Sequence, residues 1–359
     1  MFFPPPANFR AMTLVAGSHT DHGATFGDRG GRSVVEEYGR PDRAVRAVRN
    51  AVGVIEMGYG VVAVTGADRR AVVDDAVTNG VPGADGEGCY ALALADDGTV
   101  ETELFVYDAG QRLLLFTPPG REDALADRLS GDSRDADVRD ATTEFGVFGV
   151  HGPMATEKIA SVLHNAGAPT GAYSFVRGSM GDAGVSVVAG DAPGGEESYE
   201  VICAAADAAE VWTTLLSRGN GAAPFGYQTY ETLTLEAGTP LFESEIRGER
   251  PETVGLTDVA GLEGAVEDPD HRLVGLELDA DVDDSLPAAG SGVIGADRSV
   301  GDLTRVRWSP SLSAAIAFAR IEPGEAVRAI RTDDGEIPAG LVELPFVEGS
   351  DRSRRLPTY

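Results

Sequence analysis

The stretch CYALALADDGTVETELFVY, residues 89–107, decides the fold class of this chain. Apolar residues alternate with others over Tyr90–Leu94 and again over Glu101–Tyr107, which is typical of strands with one face towards a core. Asp96-Asp97-Gly98 lies between them and favours a tight turn. The two runs therefore predict an antiparallel hairpin rather than neighbouring strands of a parallel sheet.

Helical and strand-like segments alternate on both sides of the hairpin, which favours an α+β fold over a doubly wound parallel sheet. Pro41 opens a helical stretch, because proline at a helix start loses no hydrogen bond. Tyr227–Glu236 predicts another helix. Residues 1–40 have little periodicity and predict an irregular arm, and the polar tail SDRSRRLPTY, 350–359, predicts a loose terminus.

The chain changes character after residues 247–270, which are rich in glycine, proline and acidic residues. Short strand-like runs separated by turns follow, at Arg272–Leu278, Val300–Ser309, Ala314–Ile321 and Ala326–Arg331. Such spacing is typical of a small β-barrel or jelly roll. We therefore expect a first α+β domain over 1–144, a second, ferredoxin-like α+β domain over 145–250 and a C-terminal β-barrel over 265–359.

The charge balance excludes some classes of partner. The chain has 58 acidic and 29 basic residues, a formal net charge of −29, and Lys158 is its single lysine. Nucleic acids and anionic membranes attract basic surfaces, so neither is expected as a partner. An acidic excess with almost no lysine is typical of salt-loving microbes, in which molar salt screens crowded carboxylates. An acidic face for a basic partner is the alternative interpretation.

The sequence predicts neither a membrane span nor a secretion signal. No window approaches 18 consecutive apolar residues, and the start MFFPPPANFR lacks the pattern of a signal peptide. Cys89 and Cys203 form no CxxC pair and lie among small and apolar residues. Buried, reduced thiols fit a cytoplasmic protein.

Common catalytic and metal-binding motifs are missing from the sequence. It contains no nucleotide-phosphate loop, no HExxH and no cysteines at zinc spacing. His19 and His22 lie in the glycine-rich arm, where we expect them to be exposed. His151 ends an apolar strand, where a structural role is favoured over that of a base. We therefore expect no metal site.

Short motifs along the chain, taken in order, resemble those of the glycine cleavage system T-protein family. They run colinearly over nearly the whole sequence: HTDHGATF (19–26), AVRNAVG (47–53), VAVTGADR (62–69), TNGV (78–81), the hairpin 89–107, FGVHGPMA (148–155), GGEESYEV (194–201), YETLTLEAGTPLF (230–242), LVGLEL (273–278) and RWSPSLSAAIAFARI (307–321). Each motif is short, but their common order makes a chance match improbable.

The resemblance implies a three-domain cloverleaf, with two α+β domains and the C-terminal barrel around a central hole that holds tetrahydrofolate. It also implies aminomethyl transfer. An aminomethyl group on the dihydrolipoyl arm of a lipoylated H-protein meets tetrahydrofolate, ammonia is released and methylenetetrahydrofolate forms. Folate and an H-protein are therefore the expected partners.

The implied chemistry requires a carboxylate near the folate nitrogens, where it orients the nucleophile and assists proton transfer. The Asp-Asp pair of the family falls on Thr102 and Glu103, so the resemblance implies Glu103 as the catalytic residue. Its side chain is one methylene longer, and a displacement of about 1 Å can lower a rate about a hundredfold. The family motif that aligns at 230–242 begins with Arg-Asp, where this chain has Tyr230 and Glu231.

The resemblance also implies folate contacts. Glu196 falls on the glutamate that anchors the pterin, and Tyr90 falls on a folate-contacting tyrosine. Tyr230 and Trp308 are further aromatic candidates for the wall beside the ring. The alternatives are a solvated surface acid at Glu196 and a half-buried strand aromatic at Tyr90.

Two other functions are known on the same scaffold. One is a non-catalytic folate-binding accessory protein of iron–sulfur cluster assembly, and the other is a folate-dependent demethylase. The accessory branch carries K-G-C-Y-x-G-Q-E before its barrel, whereas residues 250–263 read RPETVGLTDVAGLE and contain no cysteine. An aminomethyltransferase-like protein is therefore the favoured prediction, and the other two remain alternatives.

Overall fold

The structure, a computed structural model, describes residues 13–131, 133–262, 268–281, 285–333 and 335–359. The helices are α1 Ala16–Asp21, α2 Pro41–Asn50, α3 Arg69–Asp74, α4 Glu122–Ser130, α5 Ala155–Val162, α6 Ala208–Ser217 and α7 Tyr227–Glu236. The strands of the first 204 residues are β1 Thr25–Arg29, β2 Arg32–Glu37, β3 Gly53–Glu56, β4 Gly60–Thr65, β5 Gly88–Leu94, β6 Val100–Asp108, β7 Leu113–Thr117, β8 Asp137–Asp140, β9 Phe145–His151, β10 Phe175–Met180, β11 Ala183–Ala189 and β12 Ser198–Ala204. The later strands are β13 Ala223–Pro224, β14 Arg272–Leu278, β15 Gly292–Ile294, β16 Ser299–Ser309, β17 Ala314–Ile321, β18 Ala329–Thr332 and β19 Gly335–Val342. None of the helices in the described ranges is long and apolar enough to cross a membrane.

The predicted hairpin of residues 89–107 is confirmed. Strands β5 and β6 pair antiparallel, with Tyr90 opposite Phe105 and Leu92 opposite Glu103. They belong to a five-stranded sheet in the order β5-β6-β7-β4-β8. Because successive side chains of a strand point to opposite faces, one face packs on helices α3 and α4 and the other faces the centre of the molecule. Glu103 lies on the central face, together with Phe105.

A second sheet has the order β10-β11-β12-β9-β3-β13 and contains a strand from early in the chain. Strand β3 pairs antiparallel with β9, with Gly53 opposite His151. Helices α5 and α6 cover one face of this sheet. The other face turns towards the centre and carries Ile202 of β12. Glu200 is two residues from Ile202 on the same strand, so it shares that central face.

The C-terminal strands close into a barrel in the order β14-β17-β16-β15-β18-β19. The predicted strand-like runs correspond to β14, β16, β17 and β18, although β18 begins at Ala329 rather than Ala326. The barrel prediction is therefore confirmed, and with the two sheets it confirms the α+β class.

Helix α7 lies between the sheets and the barrel. It spans the predicted residues Tyr227–Glu236, and most of its side chains are buried. Tyr230 packs into the central apolar cluster, whereas Leu235 contacts Ile316 and Phe318 of the barrel. A helix enclosed in this way holds its side chains rigidly, so Tyr230 and its neighbours are fixed relative to both sheets.

The prediction of an irregular arm is wrong for the described part of residues 1–40. Residues 13–40 contain α1 and the hairpin β1–β2, and residues 1–12 lie outside the described ranges. His19 is fully buried rather than exposed. Its Nε2 lies 2.6 Å from Oε2 of Glu56, and its Nδ1 lies 2.7 Å from the hydroxyl of Tyr38. Both ring nitrogens have partners, which allows the imidazole to be buried.

The C-terminal tail is folded as well, so the prediction of a loose terminus is wrong. Ser350, Ser353 and Arg355 are buried. The backbone N–H of Arg354 donates to the carbonyl of Asp191 at 3.0 Å. These polar groups find partners distant in sequence, and a local pattern contains no sign of such contacts.

Candidate functional site

A cavity of about 490 Å³ opens where the first sheet, helix α7 and the β1–β2 hairpin meet. This volume suits a small organic ligand. Its walls include the aromatic and apolar residues Met57, Tyr59, Phe105, Tyr227, Tyr230, Leu241 and Phe242. Charged residues also line it, among them Arg29, Glu36, Glu103, Glu231, Arg247 and Arg355. Such a lining suits a flat ring system with polar edges.

Glu103 reaches the cavity from the central face of β6 and is only 8% exposed. The hydroxyl of Tyr90 donates to its Oε2 at 2.9 Å. Nη1 of Arg355 donates to the same oxygen at 3.1 Å. Both bonds end on Oε2, so Oε1 accepts no hydrogen bond from the described residues and is the oxygen left for a ligand.

The protonation of Glu103 depends on opposing influences. Burial raises its pKa above the ordinary value. Arg355 and the hydrogen bond from Tyr90 lower the pKa, whereas the nearby charge of Asp191 raises it. The result is a carboxylate that binds a proton more readily than a surface glutamate does, as a group that accepts and returns protons requires.

Arg355 connects two carboxylates that come from different sheets. Its Nε donates to Oδ2 of Asp191 at 2.6 Å, while Nη1 contacts Glu103. Its guanidinium lies 5.5 Å from the ring centroid of Tyr90 and 5.9 Å from that of Phe105. Burial alone would lower the pKa of Arg355, but Asp191 and Glu103 outweigh it, so the arginine stays charged.

A second buried carboxylate, Glu200, lies on the central face of the second sheet. The hydroxyl of Tyr59 donates to its Oε1 at 2.6 Å. Oε2 of Glu200, Nε2 of His151 and the hydroxyl of Tyr173 are buried with no hydrogen-bond partner among the described residues. Burial raises the pKa of Glu200 to about 7 and lowers that of His151 to about 4. Water or polar ligand atoms would satisfy such groups.

Ion pairs fix the rim of the cavity. Nη1 of Arg29 donates to Oε1 of Glu231 at 2.6 Å, and Arg307 pairs with Oε2 of the same residue. The Arg29 guanidinium also lies 4.6 Å from the ring centroid of Tyr227. Burial would raise the pKa of Glu231, but Arg307 and Arg29 outweigh it and hold the pKa below the ordinary value. This network connects the β1–β2 hairpin, helix α7 and the barrel.

The structure brings some of the predicted site residues together and separates others. Glu103 and Tyr230 line the cavity, and Tyr90 is fully buried behind Glu103, to which it donates. Glu196 lies in a separate recess of about 10 Å³ that Tyr230 also lines. Trp308 packs against the barrel core and is not among the residues that line the cavity.

Glu196 is half-buried in the turn between β11 and β12. Burial raises its pKa above the ordinary value, although the charges of Arg49 and Arg352 lower it. Its carboxylate makes no hydrogen bond to the described residues. It therefore differs from its neighbour Glu197, whose Oε2 accepts from the hydroxyl of Thr156.

Sequence reasoning missed Asp191, Glu200 and Arg355. Glu200 had a signal, because SYEVICA is an apolar strand that carries one acid on the face it shares with Ile202. Asp191 and Arg355 had none, since each lies in a polar segment without periodicity. Only the three-dimensional structure places them beside Glu103.

Two family models match this chain. The GCVT N-terminal domain matches residues 15–262, and the glycine cleavage T-protein C-terminal barrel domain matches residues 271–348. The chain belongs to the glycine cleavage T-protein family. The resemblance drawn from the short motifs is therefore confirmed.

Similar proteins agree with this assignment. An aminomethyltransferase of Cutibacterium acnes is 28% identical over 369 residues, covering 94% of this chain and 98% of that protein. A probable aminomethyltransferase of Natronomonas pharaonis is 30% identical over 363 residues, covering 92% and 97%. These comparisons support a transferase of the T-protein type, and they give no support to the accessory and demethylase alternatives.

A solved structure has the same fold. The glycine cleavage system aminomethyltransferase T from Bartonella henselae superimposes with a TM-score of 0.80 at 18% identity, over 95% of this chain and 99% of that one. This likeness confirms the predicted architecture of two α+β parts and a barrel.

Proposed function

We propose that this protein is a tetrahydrofolate-dependent aminomethyltransferase that takes the aminomethyl group from a lipoylated H-protein. Membership of the family and the relatives named aminomethyltransferase support the reaction class. The observation that carries the proposal for this chain is Glu103, a buried carboxylate with one oxygen left free inside a cavity of about 490 Å³.

The residues around the cavity fit a folate. Tyr59, Phe105 and Tyr230 offer aromatic surface for a pterin and a benzoyl ring. Glu103 offers a carboxylate oxygen for an N–H donor. Glu196 lines a separate recess that shares Tyr230 with this cavity and has no hydrogen bond of its own among the described residues; we propose it as a second carboxylate, for a pterin edge that reaches past Tyr230.

Tetrahydrofolate supplies two N–H groups, whose nitrogens take up the methylene carbon while their protons pass to the released ammonia and the lipoyl thiol. Glu103 is placed to accept one of these protons on Oε1. Tyr90 holds the opposite oxygen, so the carboxylate keeps one orientation.

The longer glutamate side chain is accommodated because its carboxylate is fixed from two directions. Tyr90 and Arg355 both contact Oε2, at 2.9 and 3.1 Å, and Glu103 is almost completely buried. A group held in this way loses little of its positional accuracy. The substitution of aspartate by glutamate at this place is therefore compatible with catalysis.

Titration calorimetry with tetrahydrofolate in molar KCl tests the proposal. We expect wild-type protein to bind, and Glu103→Gln to bind as well, because the amide retains the shape of the side chain. Glu101→Gln is a matched control, since Glu101 lies on the same strand but is exposed and paired with Arg128. No binding by the wild-type protein would refute the proposed function.

A further inference from the structure

The last ten residues, 350–359, reach the cavity with one side chain, Arg355. The segment is held on both sides of it. The backbone N–H of Arg352 donates to the carbonyl of Gly195 at 3.2 Å, and that of Thr358 donates to the carbonyl of Gly255 at 3.0 Å. Gly195 has a φ of +79°, and a Cβ there would lie 2.2 Å from the carbonyl oxygen of Ser350. The tail is therefore a fixed part of the site rather than a mobile plug.

Arg355 is the cation at the centre of a buried acidic group. Its guanidinium contacts Asp191 at 2.6 Å and Glu103 at 3.1 Å. All three side chains are at least nine-tenths buried. One positive charge therefore faces two carboxylates in a poorly solvated place, where an uncompensated charge is strongly unfavourable.

Arg355 lies beyond residue 348, where the match to the C-terminal barrel domain of the family ends. The motif aligned at 230–242 begins with arginine, where this chain has Tyr230. Arg355 and Tyr230 line the same cavity, and the charge of Arg355 acts on the Tyr230 hydroxyl. Helix α7 therefore contributes no positive charge at position 230, whereas Arg355 of the C-terminal tail brings a positive charge to the same cavity.

We propose that Arg355 is a positioning residue for aminomethyl transfer, which holds the Glu103 carboxylate ionised and aimed into the cavity. The inference rests on the proposed function. Without Arg355, Glu103 would be a buried carboxylate left with the hydrogen bond from Tyr90 and the unfavourable charge of Asp191, so its neutral form would be favoured. A protonated Glu103 accepts no proton from a substrate, so transfer would slow even if substrates still bind.

Charges of opposite sign act on Glu103, so substitutions of two of its neighbours should shift its protonation in opposite directions. Tyr90 contacts it from β5, Arg355 from the tail, and Asp191 acts on it from the loop after β11. Arg355→Gln removes the attraction and should move the acid limb of the pH profile of kcat up by about one pH unit or more. Asp191→Asn removes the repulsion and should move that limb down. A purely structural defect would lower kcat without shifting the limb.

The experiment uses the full chain in molar KCl, with tetrahydrofolate and aminomethylated H-protein as substrates and ammonia release as the readout. We expect Arg355→Gln to lower kcat roughly 10- to 100-fold with a smaller change in KM for tetrahydrofolate. Arg355→Lys should restore part of the loss, because it keeps the charge. Arg354→Gln is the matched control, since Arg354 is the exposed neighbour in the tail.

Infrared spectra of the carboxyl groups give a readout that needs no folate. Arg355→Gln should keep a protonated carboxyl band to higher pH than the wild-type protein, and Asp191→Asn should lose it at lower pH. If Arg355→Lys and Arg355→Gln match Arg354→Gln in these spectra, the inference is wrong. A wild-type protein that neither binds tetrahydrofolate nor releases ammonia, but shows the infrared shifts, would refute the proposed function alone.

Discussion

Replacing Glu200 with glutamine tests whether this buried carboxylate of the second sheet makes the stability of the protein depend on pH. The side chain is enclosed, accepts one hydrogen bond from Tyr59, and has an oxygen without a partner among the described residues. Its pKa rises from 4.5 to about 7, because burial and the charge of Asp191 raise it by more than Tyr59 and Arg355 lower it. Glutamine keeps the acceptor for Tyr59 and removes the titration.

The sign and size of the effect follow from linkage. Because the pKa of Glu200 is higher in the folded protein than in the unfolded chain, its stabilising contribution is present below about pH 4.5 and is lost as the pH rises through about 7. At about 1.4 kcal/mol for each pKa unit, the change between pH 5 and pH 8 amounts to about 2–3 kcal/mol. The wild-type protein should therefore lose that much stability relative to Glu200→Gln over this range.

Urea unfolding of both proteins in molar KCl at pH 5 and pH 8 measures this difference. The comparison isolates Glu200, because His151, whose pKa burial lowers to about 4, is unchanged in both proteins and contributes equally to their pH dependence. Glu157→Gln serves as a control on helix α5, since Glu157 is exposed. A difference between wild type and Glu200→Gln that stays constant with pH would refute the reasoning.

Two further predictions concern salt and folate. The melting temperature should rise as KCl increases from millimolar to molar concentration, because screening reduces repulsion within a chain of net charge −29; a flat thermal-melt series would contradict this. Glu196→Ala should weaken tetrahydrofolate binding by ~1–3 kcal/mol, the effect of losing a charged hydrogen-bond partner. Calorimetry beside Glu157→Ala measures it, and equal affinities would remove Glu196 from the site.

Elements with strong local signals could be predicted from the sequence. The hairpin of residues 89–107 and the helix opened by Pro41 each have a period, a helix-start residue or a turn within a few residues. The barrel strands are likewise visible in the sequence as short strand-like runs separated by turns. In these places the local pattern and the tertiary environment favour the same structure.

The arm and the tail could not be predicted, because their stability comes from distant partners. His19 is buried against Glu56, and Arg355 against Glu103, which lies 252 positions earlier in the chain. Polar residues without periodicity resemble solvated loops until those partners are known. The same reason explains why Asp191 escaped notice and why the resemblance, rather than any pattern, singled out Glu103.

Ammonia release from aminomethylated H-protein, measured with tetrahydrofolate present and absent, tests the account most directly. The wild-type protein should release ammonia only with tetrahydrofolate, and Glu103→Gln should lower kcat by about a hundredfold or more, as expected for the loss of a general acid–base group. Glu101→Gln should match the wild type. Folate-independent release, or equal rates for Glu103→Gln and Glu101→Gln, would contradict the assignment of Glu103.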